Sequence, residues 1–256
     1  MRLQNKVAIV TGGSTGIGKA IVQRFAREGA AVTIDYVEGQ QSGAEAIAEQ
    51  IRSDGGKAIA VQASVDTEAD VQALVDATVK EFGRLDIYVN NAGIEHRVPF
   101  LETPLTLWEK VIAVNLTGAF LGCRIGAQQM VKQGDGGRLI NISSVHEDLP
   151  MPTNSPYCAS KGGLRMLMRT ICDELAPYKI TVNNIGPGAV DTPLDADIKA
   201  QPAVYQQLLA EIPLGRMGQP DEIAGVAVFL ASDEGGYVTG STYFIDGGLM
   251  RYAKSL

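Results

Sequence analysis

The chain has 256 residues, 45% of them hydrophobic and 20% charged, with a formal net charge of -7. That is enough apolar material for one large α/β domain or two small ones, while the acidic balance disfavours nucleic acid and anionic membrane as partners. No uninterrupted apolar run reaches the ~20 residues of a spanning helix. Met1 to Lys6 runs straight into the first apolar strand with no room for a signal peptide, so a cytoplasmic protein is expected. Cys123, Cys158 and Cys172 are odd in number and lack the spacing of a zinc site or disulfide framework. Reduced thiols are expected, and no compact His, Asp and Glu cluster points to a metal.

Short β-branched runs alternate with longer segments of helical period, which is the pattern of a parallel sheet with crossover helices. In chain order the expected strands are Val7 to Thr11, Ala31 to Tyr36, Ala58 to Gln62, Ile87 to Asn90, Arg138 to Ser143, Thr181 to Ile185 and Thr242 to Ile245. The first helix, Gly16 to Glu28, puts Ile17, Ala20, Ile21 and Phe25 on one face, and Gly29 ends it. Thr67 with Asp70, and Thr106 with Glu109, have the spacing of helix N-terminal caps ahead of apolar runs. No linker, composition shift or repeat interrupts the alternation. The expectation is therefore a single α/β domain over residues 1–256, a doubly wound parallel sheet of about seven strands with helices on both faces. Residues 192–214, with Pro193, Pro202 and Pro213, are the least regular stretch and are expected to form a substrate lid.

Gly12, Gly16 and Gly18 follow the first strand and open its helix, where glycines admit a pyrophosphate and the helix N-terminus supplies amide donors. Asn90-Asn91-Ala92-Gly93 leaves the fourth strand at the same carboxyl edge, where doubly wound sheets bind ligands. Tyr157 and Lys161 are four residues apart, thirteen beyond Ser144. On a helix they share a face, so the Lys161 ammonium favours the Tyr157 phenolate and suits the phenol to exchange a proton with an alcohol or carbonyl.

Thr11 to Gly18, Asn90 to Gly93, Asn115, Ser144, Tyr157 with Lys161, and Pro187-Gly188 with Thr192 stand in one order. In that order the whole chain resembles the short-chain dehydrogenase/reductase family. The resemblance implies a Rossmann fold, a catalytic set of Asn115, Ser144, Tyr157 and Lys161, and a homotetramer packed through the helices containing Asn115 and Tyr157. It implies that Ser144 hydrogen-bonds the reacting oxygen, and that Lys161 also binds the nicotinamide ribose. Asn115 would hold a helix kink and a water linking Lys161 to solvent. An NAD or NADP cofactor would lie against Gly12, Thr15, Gly16, Ile17 and Gly18, then Asn91, Ala92 and Gly93, with Pro187, Gly188, Val190 and Thr192 framing its nicotinamide. At the adenosine end, Asp35 stands one position ahead of the family's acidic residue, Tyr36 occupies that place, and Val37 replaces the arginine of many NADP users. This leans toward NAD, with Asp35 either at the ribose or turned to the opposite face of its strand. Ser64 and Val65 align with the adenine contact, which Asp66 takes instead if the chain shifts locally.

A narrower resemblance, to the bacterial glucose 1-dehydrogenases of that family, runs through Asn90 to Glu95, Asn141 to Glu147 and Asn184 to Ala189. It implies a sugar substrate, with Glu95 and His146 on its hydroxyls beside Ser144 and Tyr157, although His146 also reads as a turn histidine held by backbone. Asp195 stands where the family has a lid asparagine, and Ile198 fills the place of a lysine that Lys199 follows. The reaction implied is oxidation of an aldose such as β-D-glucose at C1 to its lactone. A carbonyl or 3-oxoacyl thioester reductase is the alternative, and a dinucleotide-binding sensor or scaffold is the reading without catalysis.

Overall fold

The computed structural model describes residues 1–193 and 196–251. Seven strands form one parallel sheet: β1 (Val7–Val10), β2 (Ala31–Tyr36), β3 (Lys57–Gln62), β4 (Ile87–Asn90), β5 (Gly137–Ile142), β6 (Ile180–Pro187) and β7 (Thr242–Ile245). Their spatial order is β3-β2-β1-β4-β5-β6-β7, so the chain reverses direction across the sheet between β1 and β4. All seven expected strands are present, shifted by at most two residues at an end. β1, β2, β4 and β6 are buried along their whole length, as near-continuous apolar strands covered on both faces should be.

One core lies between the sheet and the helices α1 (Gly16–Arg27), α2 (Gln41–Ser53) and α9 (Pro220–Ala231). The other lies under α3 (Glu68–Phe82), α5 (Gly118–Gln133) and α6 (Ser155–Leu175). In α1, Ile21, Val22 and Phe25 are fully buried, and Gly29 (φ +93°) takes the chain out of the helix. α4 (Leu105–Ile112) begins one residue before Thr106, with Pro104 at its cap, so Thr106 is helical and not a cap. Thr67 does precede α3, yet its side chain caps nothing; Asp70 instead accepts from the Ser64 amide at 3.0 Å.

Ala113–Thr117 forms a π turn that joins α4 to α5. The resulting helical stretch Leu105–Gln133 is long and apolar enough to cross a membrane by length and composition, but its longer part, α5, is mostly buried against the sheet and its neighbours as a core element. Within 192–214 lie two short helices, α7 (Ala196–Lys199) and α8 (Pro202–Glu211).

Candidate active site

The reversal of strand order opens a crevice at the carboxyl edge between β1 and β4. Two loops line it, and Thr11 ties them together. Its hydroxyl accepts from the amides of Asn91 (2.9 Å) and Ala92 (3.1 Å), while the Asn91 side chain donates to the carbonyls of Thr11 (2.8 Å) and Gly12 (3.2 Å). Gly18 has no room for a side chain: a Cβ there would stand 2.3 Å from the Gly12 carbonyl oxygen and 2.5 Å from Asn91 Nδ2. The amide end of α1 is open. Its cap residue Thr15 makes no side-chain bond to it, and no acid occupies the first turn. Thr192 stands over this turn, with its Cβ 3.6 Å from where a Gly16 Cβ would be, and Gly188 lies so near the Asp246 backbone (2.9 Å from a Cβ) that only glycine fits. Ile17 is half-buried behind the turn, and Val190 is buried on a bridge to Gly218. Free amide donors, glycine clearances and a bordering threonine fit a dinucleotide pyrophosphate.

At the adenosine end the structure takes the second of the two readings open for Asp35. Asp35 is 1% exposed and its Oδ2 accepts from the Gly12 amide at 3.0 Å, so the carboxyl braces the glycine turn from beneath and does not reach a ribose at the rim. The strand's alternation of faces is the cause. Burial pushes the Asp35 carboxyl up to about 7. Tyr36 is likewise buried and packs into the core, which leaves Val37 as the first exposed side chain after β2. The Ser64 hydroxyl is held by Asp66 at 2.5 Å, and Asp66 is held low chiefly by its contact with Lys110 at 2.7 Å. Val65 is buried beside that pair.

On the other side of the crevice, Ser144 lies two residues beyond β5, at the start of the short turn Val145–Glu147, and Tyr157 and Lys161 lie one turn apart on α6. Lys161 Nζ is 5.4 Å from the centre of the Tyr157 ring and donates to the Ile142 carbonyl at 2.8 Å. Burial pushes this ammonium down to about 8, against the pull of Glu147 and then Glu95. Ser144 Oγ accepts from the His146 amide at 3.1 Å, which leaves its proton to be donated elsewhere. Asn115, inside the π turn, is bound on both sides to Ile94: Oδ1 accepts from its amide (2.8 Å) and Nδ2 donates to its carbonyl (2.9 Å), with Ser160 Oγ at 3.3 Å. Asn115 and Lys161 also line a cavity of about 10 Å³, about the least that admits a single water.

The rim beyond Tyr157 is polar. The His146 ring is T-shaped to that of Tyr157, with centroids 6.3 Å apart, and burial holds it below its ordinary pKa. Its Nδ1 lies 3.1 Å from the Leu149 carbonyl, which can only accept; Nδ1 therefore carries the proton and Nε2 is a lone-pair acceptor. Glu95 Oε1 takes the Arg97 Nε at 3.1 Å. Arg97 and Glu147 escaped the sequence reading, which had no partner for either, and His96 is exposed. Lys199 pairs with Asp191 at 2.7 Å, and Asp195 lies outside the described residues. Ahead of α6, Thr153 is strained at φ +71°, and its carbonyl accepts from the Val98 amide at 2.7 Å, joining the Glu95 loop to the segment before Tyr157.

A crevice that fits a dinucleotide, beside a half-buried tyrosine and a buried lysine one helical turn away, defines an oxidoreductase. The family model described as enoyl-(acyl carrier protein) reductase matches residues 12–250. Glucose 1-dehydrogenase 2 of Bacillus subtilis is 43% identical over 99% of this chain and 98% of its own. Also 43% identical is the 3beta-hydroxysteroid dehydrogenase 1 of Eggerthella lenta, over 98% of this chain and 95% of its own. The crystal structure of a gluconate 5-dehydrogenase from Burkholderia cenocepacia, in complex with NADP and tartrate, superposes with a TM-score of 0.93 at 36% identity, covering 98% of each chain. The chain belongs to the short-chain dehydrogenase/reductase family of NAD(P)-binding oxidoreductases.

Proposed function

We propose that the protein oxidises an aldose at C1 to its lactone, with β-D-glucose as the substrate and NAD or NADP as acceptor. The observation that carries this reading is the polar rim of Glu95, Arg97 and His146 set against Tyr157, Lys161 and Ser144. The bound dinucleotide supplies the hydride acceptor. Tyr157 takes the proton from the C1 hydroxyl as the C1 hydrogen leaves with its electron pair, and the C1 to oxygen bond becomes the lactone carbonyl. Ser144 donates its free proton to that same oxygen. Lys161, cationic below about pH 8, favours the phenolate and holds the ribose next to the nicotinamide. Nε2 of His146 and the free oxygen of Glu95 accept from neighbouring sugar hydroxyls, a preference for donors that a plain ketone does not satisfy.

The bare rim after β2, with Val37 exposed and no cation among its neighbours Tyr36 and Glu38, supports NAD over NADP. Phe120 on α5 and Met166 on α6 are large apolar side chains left exposed, which supports a tetramer joined through those helices in the cytoplasm. A second reading, reduction of a carbonyl or 3-oxoacyl thioester, is favoured by the acyl carrier description of the family model and uses the same residues in reverse. A screen of aldoses, simple alcohols and acyl carbonyls, followed at the reduced nicotinamide absorbance with both dinucleotides, separates the two. Glucose-dependent NAD reduction is expected. Turnover confined to acyl carbonyls would replace the first reading by the second.

A further inference from the structure

Beneath the reacting side chains, a row of buried amides crosses the sheet. Asn90, Asn141 and Asn184 are register partners on β4, β5 and β6. Asn90 Nδ2 donates to Asn141 Oδ1 and Asn141 Nδ2 donates to Asn184 Oδ1, each at 2.9 Å; Asn184 Nδ2 then donates to Glu147 Oε2 at 3.3 Å. The same Oε2 accepts from Ser143 Oγ at 2.6 Å. A carboxylate can only accept, so it obliges Asn184 to present its amino group and thereby sets the direction of the whole row, as far as the crevice loop that Asn90 begins. The Glu147 side chain is fully buried, and its Oε1 has no hydrogen bond.

Such a carboxylate is costly unless cations answer it. Two are at hand on one face of α6, a turn apart: Arg165, whose Nε is 3.7 Å from Oε1, and Lys161, whose Nζ donates to the carbonyl of Ile142, the residue before the Ser143 that the carboxylate holds; of the two acids that oppose the effect of burial on this ammonium, Glu147 comes first. We propose that Glu147 is a positioning residue that keeps Lys161 cationic at working pH and holds Ser143, the residue before Ser144, in place. This rests on the reading of Lys161 as the support of Tyr157. The other groups facing the ammonium do not take over that task. Glu95 acts in the same sense but shares its charge with Arg97 at the solvent, and Asp148 is tied to Arg165. His146 is held neutral, and Tyr157 is the group being served. Arg165, paired with Asp148 and 3.7 Å from the same carboxylate, tempers what Glu147 provides.

The test follows the titration of Lys161 directly, by NMR of the full chain with labelled lysine, its signal assigned by comparison with Lys161→Met. Glu147→Gln keeps the size of the side chain and an oxygen for Ser143 but removes the charge. The Lys161 midpoint should fall by about one pH unit, a tenfold loss of proton affinity, and the alkaline limb of the pH-rate profile should move down with it. A merely structural contact would leave both where they are. An unchanged midpoint in folded Glu147→Gln overturns the proposal. Should that variant not fold, Glu147→Asp and Glu147→Asn differ only in charge, and the midpoint must be lower in the second; equal midpoints overturn it as well. If the midpoint falls while no sugar is oxidised by any form, the substrate reading fails and this inference stands.

Discussion

The two sides of the crevice are built on different principles. On the dinucleotide side, backbone meets backbone: Gly12, Gly18 and Asn91 interlock with tolerances of a few tenths of an ångström, and Asp35 is spent on bracing them. On the proposed substrate side the surface is made of side chains on a half-exposed rim, where Glu95 pairs with Arg97, the His146 ring meets that of Tyr157, and the nearby Thr153 is strained. Geometry that excludes a methyl group tolerates no substitution, whereas a rim of polar side chains changes substrate with few changes of residue. A fold with one rigid cofactor side and one adjustable side can serve relatives named for a sugar and for a steroid at the same 43% identity.

That contrast is open to measurement. Tyr157→Phe bridges the two sides and should have the largest effect, a loss of ~10² to 10⁴ in turnover with dinucleotide affinity retained, by stopped-flow rates and fluorescence titration. Comparable rates would remove Tyr157 as the acid-base group. Gly18→Ala drives a methyl into the Gly12 carbonyl, so thermal unfolding should show a loss of about 1–3 kcal/mol together with weakened dinucleotide binding. Wild-type stability and binding would mean that the turn is not rigid.

Asp35→Asn separates bracing from ribose recognition. Because burial raises this carboxyl to about 7 while the unfolded chain ionises near its ordinary 3.8, the unfolded state binds fewer protons between those values. Stability therefore falls as pH rises from about 4 to about 7. The asparagine keeps an oxygen for the Gly12 amide and should flatten that fall, worth a few kcal/mol at ~1.4 kcal/mol per unit, in denaturant titrations across pH. An unaltered slope would place the titration elsewhere. The smallest effect belongs to the rim: Arg97→Ala should leave stability within ~0.5 kcal/mol and change KM for sugars several-fold with kcat nearly constant. A Tm shift larger than that of Gly18→Ala would erase the distinction between the two sides.

The strands, the glycine turn and the Tyr157-Lys161 pair were legible because each depends on local spacing: period two or 3.6, a glycine where a side chain would collide, residues four apart on a helix. What was not legible depends on approach across the chain. Asp35 fitted either a ribose contact or the opposite face of its strand, and only the approach of Gly12, 23 residues away, decides between them. Thr106 carried a cap pattern, yet α4 starts at Leu105 behind Pro104. Glu147 gained its importance only once β6 brought Asn184, 37 residues distant, to its carboxylate.

The proposed chemistry requires the Tyr157 oxygen to meet the substrate oxygen under the influence of Lys161. A crystal structure with oxidised dinucleotide and a hydroxyl substrate tests it most directly. Tyr157 Oη should lie within roughly 2.6–3.2 Å of the hydroxyl to be oxidised, with the carbon bearing that hydroxyl facing the nicotinamide. A hydroxyl bound on the far side of the ring from Tyr157, or a Tyr157 oxygen enclosed by protein in that complex, would contradict it.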